Sequence, residues 1–397
     1  MIATQPLPAV DFPQPDAHAA AVSQALLDTI KQEIKAEGGA IPFDRYMELV
    51  LYAPGLGYYS NGTQKFGSAG DFVTAPEISS LFGRCIAHSV AKVLASLSGG
   101  DLLELGAGSG VMAVDVLREL QALDQLPAHY YILDRSADLR ERQRQRFEKD
   151  IPEFLSRIVW LDQLPDTPIN GVILGNEVAD ALPVKRFRWS AGKAKELGVG
   201  IKDDALIMTR LLNTDQTLCG MLSGVARSCG WPDGFESEFS PTLPAWIQSL
   251  SACIDQGALL LIDYGCGRAE YYHSQRNRGT LMCHYKHRAH PDPFLFPGLQ
   301  DITAYVDFTA LAYGADAAGL QLAGYCAQAQ YLLDNNLEGM LAEIDQSEAA
   351  VFFKRVSEIK TLTLPGEMGE RFKAIAFVKK EAVSPGGFTM QDLRSRL

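Results

Sequence analysis

Two carboxylates and an amide crowd the end of the stretch GVILGNEVADALPV, residues 171–184. The opening GVILG is apolar and reads as a strand, which leaves Asn176, Glu177 and Asp180 at its C-terminal end. Open parallel sheets bind ligands just beyond such ends. A guanidinium is planar and presents paired N–H donors, which carboxylates grip bidentately. Glu177 and Asp180 are therefore candidates to orient and neutralise a guanidinium, and Asn176 to align an attacking nitrogen. The plainer alternative is that Asp180 caps a helix and Glu177 bonds within its own loop.

A second constellation lies upstream, in LLELGAGSGVMAVDVLREL at residues 102–120. Gly106, Gly108 and Gly110 alternate between a short apolar strand and an amphipathic helix. Glycines there let backbone approach a ligand closely, and the helix start adds free N–H groups and partial positive charge. A nicotinamide turn has the spacing GxGxxG; here the third glycine comes one residue early and Val111 holds the later place. With Glu104 in front, the pattern reads ExGxGxG and resembles the S-adenosylmethionine site of Rossmann-like methyltransferases. That ligand has no phosphate, and a carboxylate near the turn suits its ammonium group or a water beside the sulfonium. The next strand, YYILD, ends in Asp134, placed to accept ribose hydroxyls or to cap the following helix. A third strand, RIVWLDQL, ends in Asp162, either facing an adenine amine or solvated in a loop.

These groups need elements to hold them. Val22, Leu26, Ile30 and Ile34 predict a helix over 17–37, closed by Gly38-Gly39, and a second runs from about Asp44 to Tyr52. The Gly- and aromatic-rich stretch GLGYYSNGTQKFGSAGDFVTAPE reads as an ordered loop. Thr74 and Glu77 fit a capping box with Pro76 in the first turn, ahead of a helix carrying Ile78, Leu81, Phe82, Cys85, Ile86, Val90, Val93 and Leu97 on one face. From 101 onward strands at 101–105, 130–134, 157–161, 171–176, 258–263, 320–327 and 373–379 alternate with helical patterns. That predicts an α/β fold with a mainly parallel seven-stranded sheet and helices on both faces. Residues 1–98 read as an N-terminal arm and helical region, 99–384 as the main domain and 385–397 as a tail. A polar, hairpin-like insertion at about 185–250 reads as a cap beside the site. Asp301, Thr303 and Asp307 are placed to cap or line the site, with a helix from Val306. RERQRQRF reads as a solvated helix face.

Composition narrows the class. Of 397 residues 47% are hydrophobic, enough for a substantial core. The net charge of −12 disfavours nucleic acid as a partner and suits a cationic substrate. Seven cysteines without a CxxC pair indicate a reducing compartment rather than a disulfide framework. His284, His287 and His290 recur at threes, but Pro291 and Pro293 argue for a loop and against a metal site. The longest apolar run is far short of a membrane span. The start of the chain looks like neither a signal peptide nor a transit peptide, which gives a cytoplasmic expectation.

In one order the chain carries GYY at 57–59, GDFVTAPEISSLFG at 70–83, ELGAGSG at 104–110, NEVADALPV at 176–184, LIDYG at 261–265, PGLQDITAYVDF at 297–308, QAQYLL at 328–333 and LPGEMGERFKAI at 364–375. Together these resemble the MidA-like methyltransferases, over roughly residues 40–380. The resemblance implies a Rossmann-like fold with a helical N-terminal part and insertions, and S-adenosyl-L-methionine as methyl donor. It implies a protein substrate methylated on arginine, such as a respiratory complex I core subunit. It places Gly106, Gly108 and Gly110 at the cofactor turn and Asp134 at the ribose. It brings the loop holding Thr74 and Glu77 over the cofactor, and sets Asn176, Glu177, Asp180 and Pro183 in the NE-x-x-DALPV element. The turn departs from the family by reading GAGSG where relatives often carry an Arg. A non-catalytic assembly chaperone, a methyltransferase of small molecules and a nicotinamide oxidoreductase are the competing readings.

Overall fold

The computed structural model describes residues 12–61, 74–134, 136–212, 216–343, 348–380 and 384–397. Most of the N-terminal arm and much of the Gly-rich loop, including GDFV at 70–73, lie outside the described residues.

Seven strands form the central sheet: β1 (Asp101–Leu105), β2 (Tyr130–Leu133), β3 (Ile158–Leu161), β4 (Ile169–Asn176), β5 (Ile254–Cys266), β6 (Gln321–Ala327) and β7 (Phe372–Lys379). Their order across the sheet is β3-β2-β1-β4-β5-β7-β6. Strands β1 to β5 pair in parallel, while β7 runs antiparallel to both its neighbours. The two residues Val306 and Asp307 add a short parallel pairing at the end of β5. The expected mainly parallel α/β sheet is thus present.

Alternation along each strand explains the layers, since successive side chains leave opposite faces. Leu102, Val172, Leu174, Leu260 and Ile262 pack with the helices Ser80–Ser96 and Val111–Ala122 on one face. Their neighbours Leu103, Ile173, Leu259 and Leu261 pack with the helices Leu243–Ala252 and Phe308–Ala317 on the other. Apolar residues at every position, rather than at every second one, are what a sheet covered on both faces requires.

The chain winds outward from β1 to β3, then returns to the other side of β1 for β4. The crevice beyond the C-terminal ends of β1 and β4 is therefore the point where strand order reverses, where such sheets bind ligands.

A second, antiparallel sheet is built from Lys185–Ser190, Lys193–Lys202, Ala205–Arg210 and Glu236–Phe239, and Ala40–Pro42 from the N-terminal region joins its edge. Its hairpins turn on residue pairs with positive φ, Ala191-Gly192 (50° and 74°) and Asp203-Asp204 (50° and 62°). Two-residue turns of this hand match the twist of the flanking strands. The same device corrects the reading of CHYKHRAHPDP as a loop: Met282–Tyr285 and Arg288–His290 form a hairpin around Lys286-His287 (45° and 61°). The three histidines are spread along it. The helix expected from Val306 starts at Phe308, with Asp307 accepting the Ala310 N–H at 3.0 Å. Residues 386–397 pack rather than trail: Leu393 N–H bonds the Tyr325 carbonyl at 2.8 Å, and Phe388 packs on the core.

Candidate active site

A cavity of ≈ 1730 Å³ opens beyond the ends of β1, β2 and β4. This exceeds a typical small-molecule pocket, and leaves room for two ligands side by side. The candidate site residues line it except Gly110, which sits behind the turn, and Thr303 and Asp307.

At one end lies the glycine turn. Gly106, Gly108 and Gly110 all have positive φ (63°, 54° and 79°), a backbone region that residues with a Cβ rarely adopt. Gly110 caps the helix Val111–Ala122, and a Cβ on it would sit 2.9 Å from the Phe147 ring. Only glycine lets the following helix, Ala137–Asp150, close against the turn. Glu104, at the end of β1, is fully buried. Its carboxylate accepts the Tyr130 hydroxyl at 2.7 Å, and its Oε1 has no hydrogen-bond partner among the described residues. Burial pushes its carboxyl up to about 7, the Tyr130 bond working in the other direction.

Asp134 follows β2 and is buried. It accepts the Ser136 N–H at 3.0 Å and the Gln143 amide at 2.9 Å, so its orientation is set from two sides. Asp162, by contrast, lies at the rim with a 92% exposed side chain and pairs with Arg140 at 2.7 Å. Thr74 and Glu77 both line the cavity but do not form the expected capping box. Thr74 makes no side-chain cap, the first helix stops after Ile78, and extended Ser79 restarts the chain as the true cap of Ser80–Ser96. The Glu77 carboxylate instead accepts from the Ser109 hydroxyl of the glycine turn. A partner 32 residues away outcompetes the local one.

At the other end stands the strand-end cluster. Asn176 donates to the Glu177 carboxylate at 3.1 Å, and Asn176 Oδ1 and Asp180 Oδ1 are buried without hydrogen-bond partners among the described residues. Glu177 has φ 52°, a left-handed conformation that costs a side-chain-bearing residue on the order of 1–3 kcal/mol. Four hydrogen bonds hold the loop there. The Glu177 N–H donates to Ile262 at 2.9 Å. Asp263, at the end of β5, accepts the N–H groups of Val178, Ala179 and Asp180 at 3.2, 2.9 and 3.3 Å. Burial, reinforced by Asp180, raises the Glu177 carboxyl to about 8; burial raises Asp180 to about 6 against a hydrogen bond from Tyr264. Asp263 is driven well up by burial and by both neighbouring acids. The wall opposite carries Tyr52 and Tyr59, stacked at 5.5 Å, with the Tyr59 hydroxyl donating to buried Asp301 at 3.0 Å.

The match to known proteins names a family and its cofactor. A family model for S-adenosyl-L-methionine-dependent methyltransferases matches residues 85–326, more than half of the chain. The chain belongs to that family. It is 41% identical to a Burkholderia thailandensis protein described as a "COG1565 superfamily member and likely methyl transferase", whose crystal structure holds S-adenosyl-homocysteine. That likeness covers 97% of this chain and 100% of the other, with a TM-score of 0.92. The chain is also 29% identical to the "Protein arginine methyltransferase NDUFAF7 homolog, mitochondrial" of Drosophila melanogaster, over 93% of this chain and 89% of that protein. The mouse protein arginine methyltransferase NDUFAF7 is 27% identical, over 91% and 86% respectively.

The residues of this methyltransferase fit the cofactor on their own terms. The turn leaves backbone bare of side chains, Glu104 Oε1 wants a donor, and buried Asp134 is fixed facing the cavity. Sequence reasoning missed Asp263, Gln143 and the Tyr59–Asp301 pair as a unit. Asp263 was legible as the acid ending the apolar LIDYG strand. Gln143 was legible as the polar member of an i, i+4, i+8 stripe with Leu139 and Phe147, within a helix read as solvated; all three are buried.

Proposed function

We propose that this methyltransferase modifies an arginine side chain of a protein, with a respiratory complex I core subunit as the first substrate to test. The observation that carries the reading is the acceptor end of the cavity. Asn176 Oδ1, Asp180 Oδ1 and the raised carboxyl of Glu177 form a buried array of acceptors with too few donors. A buried acceptor without a donor costs about 1–3 kcal/mol, and adjacent buried carboxylates repel. A guanidinium supplies both the N–H donors and the positive charge. The names of the relatives point the same way.

In this reading Glu177 and Asp180 accept N–H groups of the arginine, and Asn176 aligns the nitrogen that will carry the methyl. Bound S-adenosyl-L-methionine supplies an electrophilic methyl on sulfur. An arginine nitrogen that took the methyl, with S-adenosyl-homocysteine as the leaving group, would shed one proton. Glu177, with its carboxyl near 8, is suited to take it. Thr74, Glu77, Glu104, the glycine turn, Asp134 and Asp162 belong to the cofactor side in the same proposal, and Asn176, between the two ends, is assigned to cofactor binding as well. The seven free thiols fit a cytoplasmic setting, and among the described residues no helix is long and apolar enough to cross a membrane.

The test is mass spectrometry of methylated arginine in cells with the wild-type chain, without it, and with Glu177→Gln. Sites lost in both defective strains, and restored by purified enzyme with methyl donor, support the proposal. Restoration by Glu177→Gln as well would favour a non-catalytic chaperone.

A further inference from the structure

Behind the cofactor end of the cavity lies a buried amide. Gln143 sits on the helix Ala137–Asp150, among four arginines, yet is 0% exposed. Its Nε2 donates to the Gly108 carbonyl at 2.9 Å and to Asp134 at 2.9 Å, and its Oε1 accepts the Trp160 indole N–H at 2.9 Å. The partners leave one orientation: flipped, the amide oxygen would face two acceptors and the nitrogen a donor. Around it, Phe147 stacks on Trp160 at 5.9 Å, and the Arg144 guanidinium lies 5.1 Å over the Trp160 ring.

Gln143 therefore joins the glycine turn, the carboxylate after β2 and the tryptophan on β3. Asp134 lines the cavity, as does Gly108; Gln143 and Trp160 do not. We propose that Gln143 is a positioning residue for the cofactor, fixing Gly108 and Asp134 together and relaying their state to Trp160. The inference rests on the reading that Asp134 touches the cofactor. It has two consequences. Loss of the amide's donors weakens cofactor binding without touching the acceptor end. Cofactor binding changes Trp160 fluorescence.

The experiment is calorimetric titration of the full chain with S-adenosyl-homocysteine, using wild type, Asp134→Asn, Gln143→Glu, Gln143→Leu and Trp160→Phe. Gln143→Glu still accepts from Trp160 but faces Asp134 with a carboxylate. We expect about 10-fold weaker binding at pH 8, and partial recovery toward pH 5.5 as the new carboxyl gains a proton and with it a donor. The charged groups near that position are Asp134 and Glu104 at the ends of β2 and β1, Glu77 bonded to Ser109, and Arg140 and Arg144 on its own helix. Recovery is judged as a ratio to wild type at each pH. Gln143→Leu should lose affinity at every pH, and Trp160→Phe about 3-fold with most of the fluorescence response gone. Wild-type affinity in Gln143→Glu and Gln143→Leu, alongside weakened Asp134→Asn, overturns the relay. Wild-type affinity in Asp134→Asn overturns the reading of Asp134 itself. If Gln143→Leu fails to fold, the pH-dependent recovery of Gln143→Glu decides: its absence in a folded variant also overturns the relay.

Discussion

The two ends of the cavity are built on opposite principles. At the cofactor end, polar groups are mostly paired within the protein: Asp134 is bonded from two sides, Ser109 is tied to Glu77, and Gln143 closes the turn from behind. At the acceptor end, Glu177 holds a left-handed backbone conformation, and oxygens of Asn176 and Asp180 lack partners among the described residues. Glu104 Oε1 is the exception at the cofactor end. The difference teaches where the chain invests stability. One end is preorganised and can receive its ligand with little change. The other stores strain and buried charge that a cationic ligand would relieve, a division expected where a binding platform meets the group that must react.

The largest effect that would break or confirm this contrast comes from neutralising the acceptor end. Glu177→Gln should lower kcat by about 10²–10⁴-fold, the range for a lost acid–base group, measured by methyl transfer to a validated substrate. Calorimetry should show its S-adenosyl-homocysteine affinity unchanged. Its free form should also melt higher than wild type at pH 8, because an uncharged amide replaces a carboxylate whose ionised form is buried. A variant that loses cofactor affinity instead would erase the distinction between the ends.

A gentler test leaves the sequence alone and varies pH. The ordinary values for Glu177 and Asp180 are 4.5 and 3.8, and the fold raises them to about 8 and about 6. Below about pH 3 both are largely protonated folded or unfolded, and they contribute little to stability. As pH climbs through the unfolded values, the unfolded chain releases its protons while the folded chain keeps them. Stability of the free protein contributed by this pair therefore falls between about pH 4 and pH 8. A guanidinium binds the ionised pair, so acceptor affinity should rise over pH 6 to 8 with proton release. Calorimetry in buffers of different ionisation enthalpy measures that release directly. Acceptor affinity flat across this window would remove the carboxylate grip.

The same contrast explains what could be read from sequence. The sheet was legible because apolar runs such as VILG in β4 and ALLLI in β5 need only local periodicity. So was the strand-end rule that located Asn176, Glu177, Asp134 and Asp162. What escaped were groups defined by a distant partner. Asp263 grips a loop 83–85 residues away, and Glu77 abandons its own helix for Ser109. Gln143 is disguised by its neighbours' charges. The hairpin at Lys286-His287 was hidden because its turn needs positive φ from residues that rarely supply it.

The smallest effect belongs to Asp162, which the sequence placed on the cofactor alongside Asp134. The two acids end adjacent strands but differ in surroundings. Asp134 is buried and bonded on both sides, while the Asp162 side chain is 92% exposed and paired with Arg140. An exposed ion pair contributes about 0–1 kcal/mol, because solvent screens it and two long side chains must be ordered to make it. Arg140 also keeps its bonds to the backbone carbonyls of Asp134 and Leu161 when Asp162 is removed. Asp162→Ala should therefore change S-adenosyl-homocysteine affinity by less than about 5-fold, the factor that 1 kcal/mol allows, with little change in melting temperature. A loss of 10-fold or more would mean that the exposed acid is drawn onto the ligand when it binds. The cofactor end would then close around its ligand rather than wait for it preformed, and the contrast with the acceptor end would narrow.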